Sequence, residues 1–444
     1  MTRIVIVGGG YTGFYTAWGL EKKLRPGQAE VVVIDPRPYM TYQPFLPEVA
    51  AGSIEARHAA VSQRRHLTRT RIVTASVTRI DHASKAVTVA PRDGQPYELG
   101  YDQIVVTAGA VTRTFPIPGL EQVAIGLKHV EEAAAIRDKI LTAFDRAATL
   151  APGPERAKLL TVAVIGGGFS GVELFGELLS LARALLKRYP EISASEVSFH
   201  LVDAMDRILP EVSRASGEWV VRHLEKRGAR VHLSTQLVSA EGGHLVLSTG
   251  EAIDAHTIVW TAGNGATRVV AKNTDLPTNA RGSIVVRADL RVGTRDQVVE
   301  DAWAAGDDAA VPDLASPVPG ALTVPNAQHA VRQGRLLARN IAAALNGRPV
   351  KEYRHASLGV VATLGIGLGL FEYKKLVITG VLSWIMHRGY HVLVVPSWER
   401  KVRVLAVWIT AFLFGRDIVS LEDVAHPRRA FVEDGFEPVG GARR

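Results

Sequence analysis

Two matched glycine clusters, each followed by an acidic residue, are the first candidates for chemistry in this chain. Gly8, Gly10 and Gly13 form one G-x-G-x-x-G run, and Gly166, Gly168 and Gly171 form a second. Glycines at these spacings let a backbone turn tightly and approach a pyrophosphate. A helix that starts there offers free N–H groups and the positive end of its dipole. Asp35 follows the first cluster near the ~20-residue spacing at which a carboxylate accepts hydrogen bonds from a ribose 2′-OH. Asp203 takes that place after the second cluster, further along the chain, so a longer helix or connection is expected there. A carboxylate at this position repels a 2′-phosphate, which favours NADH over NADPH, while the nearby Arg207 acts in the other direction. One such run is weak evidence. Two runs, each after a strand and opening a helix, are far more specific.

The elements that must carry these residues are legible. Ile4 to Val7 and Leu159 to Ile165 are short apolar runs that lead into the clusters, and helix-like runs follow to about Leu24 and Arg188. Val31 to Ile34 ends at Asp35, and Val197 to Val202 ends at Asp203, so one βαβ unit occurs twice. Tyr101 to Gly109 reads as a strand ending in small residues, Thr107 and Gly109 among them, and Trp260-Thr261-Ala262-Gly263 repeats it. The first unit is too short for a complete sheet, so a later segment must rejoin it. Asp301 to Asp307 fits, as a strand ending in a Gly306-Asp307 turn, with a helix from Ala327 to Leu345 behind it. The expected fold class is α/β, with two Rossmann-like dinucleotide-binding domains, the second inserted in the first. The expected boundaries are 1–112 with 285–345, then 113–284, then a C-terminal region over 346–444.

Composition sets the limits. A chain of 444 residues is too long for one ordinary core, and 47% hydrophobic with 22% charged residues reads as globular. The net charge of +8 suits anionic cofactors, an anionic membrane surface or nucleic acid, or a solvated basic surface with no partner. The absence of cysteine excludes disulfides, thiolate metal sites and a catalytic thiol. His129, His200, His223 and His232 are scattered without ligand spacing, so no metal site is expected. The N-terminus does not read as a signal peptide. The longest uncharged stretch, Ala356 to Phe371, is interrupted by four glycines and falls short of the ~18–20 apolar residues of a spanning helix. A cytoplasmic, non-spanning chain is expected.

The last hundred residues mix large apolar and basic side chains. Val377 to Met386 and Val404 to Phe414 suit buried or interfacial helices, with Leu405, Trp408, Ile409 and Phe412 on one face. Trp384, Trp398 and Trp408 suit a membrane interface, and Lys374, Lys375, His387, Arg388, Arg400, Lys401, Arg403 and Arg416 bracket the two stretches. A peripheral membrane contact and a homodimer interface are both compatible with this pattern. Nucleic acid is disfavoured, because the basic residues lie among large apolars and form no polar groove.

From residue 1 to about 345 the motif order resembles the two-dinucleotide-binding-domain flavoproteins. That resemblance implies non-covalent FAD on the first unit (Gly8, Gly10, Gly13, Asp35, Thr107, Gly109, Gly306, Asp307). It implies NADH on the second (Gly166, Gly168, Gly171, Asp203, Gly263). The cysteine-dependent branches are excluded by composition. Three segments are similar to the type II NADH dehydrogenases: Tyr42 to Gly52, Gly168 to Glu173, and Ala327-Gln328-His329-Ala330. This branch implies a membrane quinone as acceptor, no proton pumping, and attachment to the cytoplasmic face of the cell membrane through C-terminal helices. Glu173 is then implied near the nicotinamide and flavin, and Gln328 at the quinone. The branch's second glutamine falls where this chain has Arg332, with Gln333 one residue late and ~100° away on an ideal helix. Arg332 therefore joins Gln328 as a candidate quinone contact. Water, His329 or Glu48 would supply the two protons. The alternatives are a soluble NADH oxidase or diaphorase, and a flavoprotein that senses NADH without turnover.

Overall fold

The computed structural model describes residues 1–294, 296–356, 358–421 and 428. The chain divides into two compact units. The first comprises Met1–Tyr42, Ala60–Arg113 and Gly263–Leu358, and the second Gln43–Ala59, Thr114–Ala262 and Gly359–Arg444.

The first unit is built on an eight-stranded sheet. Thr2–Val7 lies at its centre, parallel to Ala29–Asp35 on one side and Gln103–Val106 on the other. The stretches Ile4–Val7, Val31–Ile34 and Ile104–Val106 are continuously apolar and buried, as parallel strands covered on both faces require. Val298–Ala304 joins beside Gln103–Val106 in parallel, pairing Ala302 with Ile104. The late segment therefore completes the sheet as the strand pattern requires. The Tyr11–Lys23 helix packs closely on the Ala327–Ala344 helix. Small residues allow this: a Cβ on Gly334 would come within 2.5 Å of the Thr12 carbonyl oxygen, and one on Gly19 within 2.5 Å of the Ala338 methyl.

The second unit holds a five-stranded parallel sheet in the order Ala124–Ile125, Thr257–Trp260, Thr161–Ile165, Ser198–Val202, Ala229–His232. The antiparallel strands Leu237–Ser239, His244–Leu247 and Ala252–Asp254 pack Leu245, Leu247 and Ile253 into one core with Trp260 and Val202. The Phe169–Leu185 helix follows the second glycine cluster.

The C-terminal segment corrects one expectation. Val377 to Met386 is not a single helical stretch. Leu376–Thr379 is the last strand of a three-stranded antiparallel sheet, and a helix runs from Val381 to Val394. Gly380, at φ +78°, makes the turn between them, a conformation that side-chain-bearing residues disfavour. The sheet rests on the Phe169–Leu185 helix, where a Cβ on Gly176 would come within 2.5 Å of the Leu364 backbone. The final helix, Trp398–Phe414, exposes Leu405, Ile409 and Phe412 of the expected shared face, but Trp408 turns inward to a buried carboxylate. Among the described residues, no helix is long and apolar enough to cross a membrane.

The close helix crossing in the first unit carries a stability prediction. Gly334→Val forces the two helices apart, and overpacking of this kind costs about 1–3 kcal/mol. A lowered thermal midpoint of the full chain by differential scanning fluorimetry is expected, and an unchanged midpoint contradicts the contact.

Candidate active site

In the first unit, the Gly8–Gly13 turn is braced from three sides. Gly8 has φ +97°, and a Cβ on Gly13 would collide with the Gly8 carbonyl oxygen, so this turn admits no side chain there. Gly10 caps the Tyr11–Lys23 helix, and a Cβ built on it meets nothing, which leaves an open face at a helix N-terminus. Asp35 Oδ2 accepts from the Gly9 N–H at 2.7 Å, its Oδ1 accepts from Arg37 N–H at 2.7 Å, and burial raises its pKa. Gln63 donates to the Gly9 carbonyl at 3.0 Å, and Thr107 Oγ1 donates to Gly8 O at 2.9 Å.

The Gly306 turn closes this site. Asp308 Oδ2 accepts from the Ala108 N–H at 2.6 Å, beside Gly109 at φ +70°. Its Oδ1 is buried with no hydrogen-bond partner among the described residues, and burial pushes the carboxyl up to about 8. Asp307 is only half-buried. Gln333 Oε1 accepts from Gly306 N–H at 2.8 Å, and its Nε2 donates to Thr323 Oγ1 at 3.2 Å. The one-residue offset of Gln333 thus turns its amide onto the Gly306 turn. Gln328 and Arg332 lie one helical turn apart, both half-buried, and Arg332 Nη1 donates to the Gln328 carbonyl at 2.9 Å. His329 Nδ1 faces the Tyr353 hydroxyl at 2.8 Å, and burial lowers its pKa. Gly263 falls at the start of a first-unit segment, where its carbonyl accepts from Arg113 N–H at 3.2 Å.

The second unit repeats the design. Gly166 has φ +119°, Gly168 caps the Phe169–Leu185 helix, and a Cβ on Gly171 would collide with the Gly166 carbonyl oxygen. The Gly167 N–H donates to Asp203 Oδ2, and Asp203 Oδ1 accepts from Met205 N–H at 2.7 Å. Thr261 Oγ1 donates to Gly166 O at 3.1 Å, as Thr107 does in the first unit. Orphaned N–H groups at an open helix start, a side-chain-free cradle and an adjacent carboxylate fit a dinucleotide in each unit. The unsatisfied Asp308 oxygen adds a hydrogen-bonding atom at the first.

The second unit also buries a cluster of ionisable groups. Glu173 Oε1 accepts from Thr363 N–H at 3.1 Å and stands 3.1 Å from His387 Nε2. Burial pushes Glu173 up to about 8 and His387 down to about 3. Glu48 Oε2 accepts from Trp408 Nε1 at 2.7 Å and forms an ion pair with Arg388 Nη2 at 3.2 Å, and burial, opposed by Arg388, leaves it at about 7. Arg416 Nη2 donates to Glu177 Oε2 at 2.9 Å. The Arg388 guanidinium lies over Trp384 and Trp408, with centroids at 4.7 and 4.5 Å. Sequence reasoning singled out Glu48 and Glu173 but not Glu177, whose spacing four residues after Glu173 puts both on one helix face. It also treated His200 and His232 as scattered. Parallel pairing of Ser198–Val202 with Ala229–His232 brings the two rings edge to edge, His200 Nδ1 3.0 Å from His232 Nε2.

The comparisons with known proteins agree with one another. The family model for pyridine nucleotide-disulphide oxidoreductases matches residues 2–334. The type II NADH:quinone oxidoreductase of Staphylococcus epidermidis is 30% identical over 376 residues, covering 83% of this chain and 89% of that protein. The type II NADH:quinone oxidoreductase Ndh of Mycobacterium tuberculosis is 28% identical over 428 residues, covering 93% and 89%. The structure of NDH2 from Plasmodium falciparum in complex with NADH superposes with a TM-score of 0.85 at 17% identity, covering 94% of this chain and 99% of that one. At that identity it speaks for the fold. The chain belongs to the pyridine nucleotide-disulphide oxidoreductase family and, within it, to the type II NADH:quinone oxidoreductases.

Proposed function

We propose that this enzyme takes hydride from NADH onto non-covalently bound FAD and passes two electrons to a membrane quinone, without proton pumping. The paired glycine turns, one per unit and each braced by its own carboxylate and threonine, carry this reading. FAD supplies the two-electron carrier between nicotinamide and quinone. FAD binding is assigned to the first unit, NADH binding to Thr114–Ala262 of the second, and membrane association or dimerisation to the segment from Gly359 on. The near full-length likeness to quinone oxidoreductases favours this over an oxidase, a diaphorase or a sensor.

Gly8, Gly10 and Gly13 hold the FAD pyrophosphate at the helix start. Asp35 binds ribose, and Thr107, Gly109, Gly306 and Asp307 line the rest of the site. Gly166, Gly168, Gly171, Asp203 and Gly263 do the corresponding work for NADH. Gln328 and Arg332 offer N–H donors to the quinone carbonyls, and Arg332 opposes the negative charge that builds there on reduction. Glu173 orients the nicotinamide. Water, His329 and Glu48 are the candidate proton sources; burial raises Glu48 to about 7 and lowers His329.

The C-terminal helices support peripheral membrane association, which we assign to the cytoplasmic face of the cell membrane. Val381, Leu382, Ile385 and Leu393 are exposed on one, and Trp398 and Phe412 are more than 80% exposed on the other. Apolar side chains held out to water in this way suit a lipid interface or the same face of a second copy. Each neighbouring Lys or Arg adds about 1 kcal/mol at an anionic surface.

Two measurements test the residue roles. Gln328→Ala is expected to keep FAD and its reduction by NADH while slowing turnover with a soluble quinone analogue. Unchanged quinone kinetics remove Gln328 from the site. Glu173 binds a proton in the fold up to about 8, against 4.5 ordinarily. Folding therefore takes up a proton between those values, and stability falls as pH rises through that window. Glu173→Gln removes this contribution. Urea midpoints taken across the window are expected to fall less steeply with pH in the variant than in wild type, and identical slopes contradict a protonated Glu173.

A further inference from the structure

One polar cluster in the second unit has no part in the proposed reaction. His200 and His232 sit on neighbouring parallel strands, where His200 pairs with Arg230 and Val202 with His232. Their ring planes lie 11° apart with centroids 5.3 Å apart, and they meet edge to edge, His200 Nδ1 standing 3.0 Å from His232 Nε2. Glu251, on the turn before Ala252–Asp254, places Oε2 3.6 Å from His232 Nδ1. On the other side, Ser198 Oγ lies 2.9 Å from His200 Nε2. Three segments distant in sequence thus deliver two imidazoles and a carboxylate whose ligating atoms all lie within 4.8 Å of one another.

We propose that His200, His232 and Glu251 bind a divalent first-row transition metal ion of the zinc class. The 3.0 Å gap between the two ring nitrogens approaches the edge of ~3.3 Å in a tetrahedron with Zn–N bonds of 2.0–2.1 Å. Imidazole and carboxylate together suit Zn²⁺, Cu²⁺ or Ni²⁺ better than Mg²⁺ or Ca²⁺. With the ion bound, Ser198 Oγ accepts the Nε2–H of His200 and the Nδ1 lone pair is left for the ion. The metal replaces the hydrogen bond between the two rings, and the proton that bond held moves to His232 Nδ1, so that both imidazoles bind as neutral ligands. Glu251 swings in as the third ligand and water takes the fourth position. His200 is 2% exposed, whereas the Glu251 side chain is 45% exposed, so an ion has an entry path from solvent on one side. Binding would clamp the antiparallel strands at 244–254 onto the edge of the parallel sheet.

The test is titration of the untagged, metal-stripped full chain with Co²⁺, followed by displacement with Zn²⁺. One equivalent is expected to bind, with the visible ligand-field bands of a four-coordinate ion, and Zn²⁺ is expected to raise the thermal midpoint. His232→Gln and Glu251→Gln should each weaken binding at least about tenfold and abolish the Zn²⁺-dependent stabilisation. Ser198→Ala, which removes only the orienting hydroxyl, should weaken it about 10–100-fold. Glu251 is exposed, so Glu251→Gln decides the matter if His232→Gln fails to fold. Absence of saturable Co²⁺ binding to wild type overturns the proposal, as does binding that both variants leave unchanged, which would place the ion on other histidines.

Discussion

The second unit depends on one constraint: three carboxyl groups are buried where water cannot solvate them. Glu48, on the short Leu46–Ala50 helix, and Glu177, on the Phe169–Leu185 helix, are compensated by cations contributed from far along the chain. Arg388 reaches Glu48 and Arg416 reaches Glu177, and Trp384 and Trp408 flank the Arg388 guanidinium. Removing one partner of such a buried pair typically costs about 3–5 kcal/mol, because the other charge is left stranded. This explains why residues 43–59 belong with the C-terminal segment and not with the unit on either side of them in sequence. Glu173, which has no cation of its own, resolves the same problem differently. It keeps its proton, next to a histidine that burial holds neutral.

The glycine turns show one solution used twice. In each unit a positive-φ glycine opens the turn, and a glycine five residues on sits against its carbonyl. A threonine at a neighbouring strand end donates to that carbonyl, and a carboxylate accepts from the intervening N–H. With the loop held by its own side chains, the remaining N–H groups at the helix start are ready for phosphate before any ligand arrives. Pre-organisation of this kind reduces the ordering cost of binding.

Much of this was legible in the sequence, because turns and buried parallel strands impose local rules. The clusters at Gly8 and Gly166, the acidic residues at Asp35 and Asp203, and the returning strand before Gly306 follow from spacing and apolar runs alone. The braces did not. Gln63, Gln333 and Asp308 act across 27 to 200 residues of separation, and nothing local marks them. Gln333 stands one residue past the expected glutamine, and that offset turns it toward the Gly306 backbone. Trp408 looked interfacial by helical periodicity, but a hydrogen bond to buried Glu48 outweighs that preference. The Val377 to Met386 run was apolar enough for a helix, and only the Gly380 turn divides it into strand and helix. The His200–His232 pair arises from strand register, which no spacing rule within one segment can reveal.

The central claim is that two half-reactions run in sequence, with NADH as donor and quinone as acceptor. It is tested most directly by reducing the FAD-loaded chain anaerobically with NADH. Flavin reoxidation is then followed after adding a soluble menaquinone or ubiquinone analogue, with air as the comparison. The account predicts complete reduction by NADH, rapid reoxidation by quinone and slow reoxidation by air. Failure of reoxidation by both quinones, with fast reoxidation by air or by a protein carrier, would contradict it.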